Sequence, residues 1–133
     1  MHVDDIAFLD LADAIEAHDY ALRLSGGAAG IRDVGRVDAA VMAPQSGYCM
    51  TLGEMAATYL HGLAKGHGFV DGNKRTATSA MMMFLGANGY PVVLSEDWDQ
   101  IVEKVADGTL TKAELLMLIV SRLLGGVDVP IDY

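Results

Sequence analysis

The chain has 133 residues (14.1 kDa), enough for one domain that buries ~65–70 % of the surface its unfolded form exposes, so no disulfide or structural metal is needed to hold it. Hydrophobic residues at 52 % against 20 % charged exclude intrinsic disorder, and 15 Gly and 3 Pro without a repeat exclude collagen-like and proline-rich chains. With 9 Lys+Arg against 18 Asp+Glu the net charge is −9, which repels phosphate backbones and excludes nucleic acid as the main partner; any bound phosphate has to be gripped locally.

From Asp4 to about Ser25, Ile6, Leu9, Ala12, Ile15, Ala17 and Leu22 recur mostly at three- and four-residue steps, which predicts an amphipathic helix stopped by Gly26-Gly27. After a glycine-rich loop, Asp33 caps a short helical pattern from Val34 to Ala43 that Pro44 closes. Thr51-Leu52-Gly53-Glu54 has capping-box spacing and opens a helix running to about Lys65-Gly66. His67 to Gly72 is a loop. From Asn73 a run apolar almost all round (Ala77, Ala80 to Leu85, Ala87) predicts a helix in the middle of the domain, ending at Asn88-Gly89. Ser95 to Gly108 is a further helix, and Thr111 to Glu114 repeats the capping-box pattern before a last one, Leu115 to Leu124. The expectation is an all-α, single-domain bundle of about six helices over residues 1–126, with 127–133 as a tail without a fold signal of its own.

Cys49, the only cysteine, can form neither an internal disulfide nor a thiolate cluster and reads as a buried small hydrophobe. The start Met1-His2-Val3-Asp4-Asp5 lacks the basic segment of a secretory signal, and Ala80 to Leu85 is far short of the ~20 apolar residues that span a bilayer, so the expected setting is cytoplasmic, with no membrane partner. Zinc is disfavoured: His61 and His67, at ~100° per residue, point well apart, and no i, i+4 partner or nearby cysteine completes a site. His61 reads as core or as packing behind the loop, Trp98 as a helix-packing aromatic, and Arg32-Asp33 as a local turn lock or a rim contact to a ligand.

The chemistry concentrates in His67-Gly68-Phe69-Val70-Asp71-Gly72-Asn73-Lys74-Arg75, where a loop meets a helix start. The first N–H groups of a helix lack intrahelical partners and carry its positive dipole end, so an anion is favoured there. Gly72 lets a ligand approach the backbone, Asn73 can donate from its amide, and Lys74 and Arg75 add positive charge at a helix end whose dipole disfavours it, a sign of function over stability. Asp71 suits Mg²⁺, which takes one or two carboxylates together with phosphate oxygens. His67 is the group whose residue type, with an ordinary pKa of ~6.5, takes a proton from a hydroxyl near neutral pH. Base, metal ligand, anion nest and cationic clamp are the parts of a phosphoryl or nucleotidyl transfer site. The plainer reading has Asp71 as a helix cap, His67 as a structural hydrogen bonder and Phe69 as a core anchor.

The run His67-x-Phe69-x-Asp71-Gly72-Asn73-Lys74-Arg75 resembles the signature of the Fic/Doc superfamily, and more closely its Doc (death-on-curing) toxin branch; Gly30-Ile31-Arg32-Asp33 through Ala43-Pro44-Gln45 and the approach Leu63-Ala64-Lys65 are similar as well. The resemblance covers about Tyr20 to Leu94 and implies the compact all-helical Fic fold. In the AMP-transferring pattern a glycine stands where this chain has Lys74, and a second arginine where it has Thr78; a lysine intrudes on the phosphate space and the missing arginine removes a clamp, and both point to Doc. Gly72, often alanine in Doc, is Fic-like. The resemblance thus implies an ATP- and Mg²⁺-dependent kinase of a toxin–antitoxin system that phosphorylates a Thr/Ser hydroxyl of elongation factor Tu and arrests translation. His67 would be the base, Asp71 the metal ligand, and Gly72, Asn73, Lys74 and Arg75 the nucleotide binders. AMP transfer and a non-catalytic nucleotide- or phosphopeptide-binding module are the alternatives. Fic proteins are often restrained by a [ST]-x-x-x-E-[GN] helix; here the residues four before each glutamate are Ala12, Met50, Val92, Asp99 and Leu110, so the brake is expected in a separate antitoxin covering the groove.

Overall fold

The computed structural model describes residues 1–133, apart from the side chain of Leu124. Its elements are six α-helices: α1 (Leu11–Ser25), α2 (Val34–Met42), α3 (Leu52–Gly66), α4 (Asn73–Ala87), α5 (Trp98–Asp107) and α6 (Lys112–Val120), with short 3-10 turns at Val3–Asp5, Ala43–Gln45 and Leu124–Gly126. Among the described residues there is no strand, only isolated bridges such as Ile31 with Phe69. The expected all-α, single-domain bundle is the fold found, and no helix is long and apolar enough to cross a membrane.

Most helix starts obey the sequence. Asp33 caps α2 through Arg36 N–H, Thr51 caps α3 through Glu54 N–H, and Thr111 and Glu114 form a full capping box on α6. The first helix is shorter than its periodicity suggests. Asp10 and Asp13 form a reciprocal capping box that starts α1 at Leu11, and residues 6–9 lie outside any helix. Their backbone finds partners elsewhere, Ala7 N–H donating to Asn88 Oδ1 and Leu9 N–H to the buried Tyr59 hydroxyl, so Ile6 and Leu9 reach the core without a helix.

The centre of the domain belongs to α3, where sequence had placed α4. Leu52, Met55, Ala56, Tyr59, Leu60, Leu63 and Ala64 are all buried, and α3 packs on α2, α4, α5 and α6. Helix α4 buries one side (Thr76, Ala77, Ala80, Met81, Phe84, Leu85) and leaves Lys74, Arg75 and Met82 exposed, and its first turn borders a groove. Both helices bury small residues, Ala56, Ala57 and Ala64 on α3 and Ala77 and Ala80 on α4, and α3 packs most extensively on α4.

The last helix stops at Val120, four residues before its expected end, and residues 127–133 dock. Leu52 N–H donates to Val129 O, Ile131 N–H to Met50 O, and Gly53 N–H to the Asp128 carboxylate, which adds negative charge at the N-terminus of α3. Ile131 is buried, Tyr133 Oη donates to Cys49 O at 2.6 Å, and Cys49 is buried as expected.

Candidate active site

The loop between α3 and α4 is pinned from three sides. Gly68 is buried and its carbonyl accepts both Arg32 N–H (2.8 Å) and Asp33 N–H (3.0 Å), while Val70 N–H donates to Gly30 O at 3.0 Å. A Cβ at Gly68 would lie 2.5 Å from Val37 Cγ2, so only glycine lets the loop sit on α2. Phe69, 1 % exposed, is the core anchor its type suggests, stacked flat on His18 of α1 with ring centroids 4.0 Å apart. Asn73 reaches back and closes the loop, its Oδ1 accepting Phe69 N–H and its Nδ2 donating to Phe69 O, both at 3.0 Å.

That pinning presents His67. It ends α3 in the left-handed conformation (φ 48°, ψ 41°), the only non-glycine residue with positive φ among those described, and its side chain is exposed at the groove. A backbone state that costs ~1–3 kcal/mol and persists at a groove rim is a common mark of a functional position.

Gly72, with φ 74°, is the N-cap of α4 and offers no side-chain cap. Asp71 does not cap either: its carboxylate takes Ala28 N–H at 3.0 Å and Gly72 N–H at 2.8 Å, which excludes the plainer reading of this aspartate. The first intrahelical bond is from Thr76 N–H to Gly72 O, so the N–H groups of Asn73, Lys74 and Arg75 stay open at the positive end of the helix. They face a groove of about 420 Å³ lined by Arg32, His67, Asp71, Gly72, Asn73 and Arg75 among others, within the ~300–1,000 Å³ of small-molecule sites.

Side-chain directions refine the expected roles. The Asn73 amide is engaged with Phe69, because the loop backbone there needs both a donor and an acceptor, and what Asn73 offers an anion is its N–H. Lys74 pairs with Glu103 of α5 at 2.6 Å while still bordering the groove. Arg75 forms no ion pair among the described residues and borders both this groove and the hollow beside α5. One turn on, Thr78 accepts the Trp98 indole N–H, leaving no second arginine clamp; Trp98 is the packing aromatic expected. Arg32 lies in the groove wall, and His61 lies outside it, half-buried, its pKa lowered by burial with Lys65 and Lys112 adding to the effect.

The two backbone N–H groups, Ala28's foremost, hold the Asp71 carboxyl below its ordinary pKa, so it is ionised at neutral pH. Each carboxylate oxygen accepts one such bond and keeps a lone pair. No cluster of three His, Cys, Asp or Glu donors exists among the described residues; one ionised carboxylate beside an open anion nest fits Mg²⁺ arriving with phosphate and does not fit a protein-caged metal such as zinc. Two contributors escaped sequence reading. His18 sits inside an apolar helical pattern, and Gly27 reads as a helix stop, although a Cβ there would lie 2.7 Å from Asp71 Oδ2.

Fold and groove together define an all-helical domain with an uncapped helix start in a groove and an imidazole at its rim. The Fic/DOC family model matches residues 8–85, more than half of the chain, and the chain belongs to that family. It is 41 % identical over 97 residues to "Toxin Doc" of Mycolicibacterium smegmatis, covering 69 % of this chain and 71 % of that one. It is 34 % identical over 103 residues to "Protein kinase doc" of Escherichia phage P1, covering 74 % and 82 %. The Doc branch indicated by Lys74 and Thr78 is thus where its relatives lie.

Proposed function

We propose that the chain is a Doc-type toxin that transfers the γ-phosphoryl group of ATP to a Thr/Ser hydroxyl of a translation factor, elongation factor Tu being the target its family implies. The observation that carries this reading is the uncapped start of α4, whose open N–H groups face the same groove as His67, Asp71, Arg32 and Arg75. His67 accepts the hydroxyl proton as the oxygen attacks the γ-phosphorus, the bond from phosphorus to the β–γ bridging oxygen breaks, and ADP leaves. Asn73, Lys74 and Arg75 N–H groups and the Arg75 guanidinium bind the phosphate oxygens, and Gly72 supplies the left-handed turn (φ 74°) that opens the helix to them. Asp71 would hold Mg²⁺, which would supply charge neutralisation for the transferring phosphates. The names of the relatives, a toxin and a protein kinase, support the same reading, as does the absence of an arginine at Thr78. A toxin of this kind requires an antitoxin, here a separate protein whose segment covers the groove.

The test is to incubate the protein with elongation factor Tu and ATP labelled at the γ- or the α-phosphate. Label from the γ-position alone is expected. Label from the α-position alone replaces the reading by AMP transfer, which Gly72, Fic-like at its position, would suit. Growth inhibition that persists in His67→Ala without any label transfer leaves a binding module.

A further inference from the structure

We infer that His18 is a positioning residue for the anion site: its ring N–H holds the Asp71–Gly72 peptide in the one orientation that leaves the start of α4 open to phosphate. This deepens the proposed function and rests on it for the identity of the physiological ligand, though not for the existence of the anion site.

His18 is 3 % exposed on the inner face of α1, flat against Phe69, with an interplanar angle of 8°. Its Nε2 lies 2.8 Å from Asp71 O. A carbonyl oxygen only accepts, so Nε2 carries the proton and donates. In a trans peptide the carbonyl and the following N–H point in opposite directions, so fixing Asp71 C=O toward α1 fixes Gly72 N–H away from it, where it meets Asp71 Oδ1 at 2.8 Å.

This peptide needs fixing. Gly72 occupies φ 74°, and a glycine there exchanges easily between backbone states, so the peptide before it can turn over at little steric cost. Turned over, it would aim a carbonyl oxygen toward the open N–H groups of α4 and remove the Gly72 bond from the Asp71 carboxylate, repelling an anion where the present arrangement attracts one. Helix α1 forms the shelf that prevents this. A Cβ built on Gly72 would lie 3.4 Å from Leu22 Cδ2 and 3.8 Å from His18 Nε2, and Leu22 follows His18 by one helical turn. His18 therefore acts through the loop and touches no ligand.

The test uses the full ¹⁵N-labelled chain, inorganic pyrophosphate with Mg²⁺ as the probe, and the variants His18→Phe, His18→Gln and His18→Met. His18→Phe keeps a flat ring against Phe69 but has no donor. Its pyrophosphate affinity is expected to fall about tenfold, and its Gly72 amide signal to move before any ligand is added, while the melting temperature stays close to wild type. His18→Gln, which restores an N–H donor, is expected to bind within about threefold of wild type. If His18→Phe does not fold, His18→Gln against His18→Met compares donor with no donor at similar length, and equal affinities overturn the inference. Affinity of His18→Phe within about twofold of wild type also overturns it, as does pyrophosphate that leaves the Gly72 to Arg75 amides of the wild type unmoved. A wild type that binds pyrophosphate, depends on His18 and yet transfers no label from ATP would leave this inference standing and remove the kinase.

Discussion

Gly27 offers the sharpest perturbation, because it touches the proposed metal ligand without entering the groove chemistry. Its φ is +119°, and an added Cβ would stand 2.7 Å from Asp71 Oδ2, 3.1 Å from Leu22 Cδ2 and 3.3 Å from Asp71 Cγ. To reach ordinary contact at 3.4 Å the carboxylate oxygen has to retreat by about 0.7 Å, losing its bond from Ala28 N–H on the way. The strained backbone costs ~1–3 kcal/mol, which in a domain of this size lowers the melting temperature by about 4–12 °C. A displacement of that order at the reacting centre costs up to ~10²-fold in rate, so Gly27→Ala is expected to lose about 10- to 100-fold in γ-phosphoryl transfer at limiting Mg²⁺, with part regained at high Mg²⁺ as the weakened ligand saturates. Thermal melting and label transfer across a Mg²⁺ series, read on one preparation, separate the two effects. A variant that melts lower but transfers at the wild-type rate at every Mg²⁺ concentration would refute the role given to Asp71.

Three further outcomes are expected. His67→Gly relieves a left-handed residue and removes the base, so transfer should vanish while the melting temperature stays level or rises by up to ~4 °C; a clear fall would show that the imidazole is structural. Tyr59 is fully buried, and desolvation raises its hydroxyl pKa from 10.0 to about 12. Because the folded value is the higher one, its share of stability is intact below 10.0 and is lost as pH climbs through about 12, so alkaline unfolding should set in across that window and shift when Tyr59 is replaced by Phe. At neutral pH Tyr59→Phe should also cost ~1–3 kcal/mol in denaturant melts, since Leu9 N–H would be left buried without its acceptor; no change would contradict the part assigned to residues 6–9.

Where a structural cause lay within a few residues, it was legible in the sequence. The caps Asp33, Thr51 and Thr111, the glycine stops and the loop at His67 to Gly72 all depend on neighbours along the chain, and the groove forms where glycine, cations and a helix start coincide. What stayed hidden depends on distant partners. The tail docks through backbone bonds to Met50 and Leu52, the non-helical entry to α1 is satisfied by Tyr59 and Asn88, the Asn73 side chain is taken by Phe69, and Lys74 is paired with Glu103. His18 carries no local signal either, since its partner, the Asp71 carbonyl, lies on another helix junction and a backbone oxygen leaves no trace in residue identity.

In the proposed reaction the open start of α4 receives the γ-phosphate beside His67. A crystal structure with Mg²⁺ and a non-hydrolysable ATP analogue tests it most directly. The γ-phosphate is expected on the N–H groups of Asn73, Lys74 and Arg75, about 3 Å from the His67 imidazole or one water away, with the metal on Asp71. An α-phosphate in that place, or a nucleotide bound outside the groove, would contradict it.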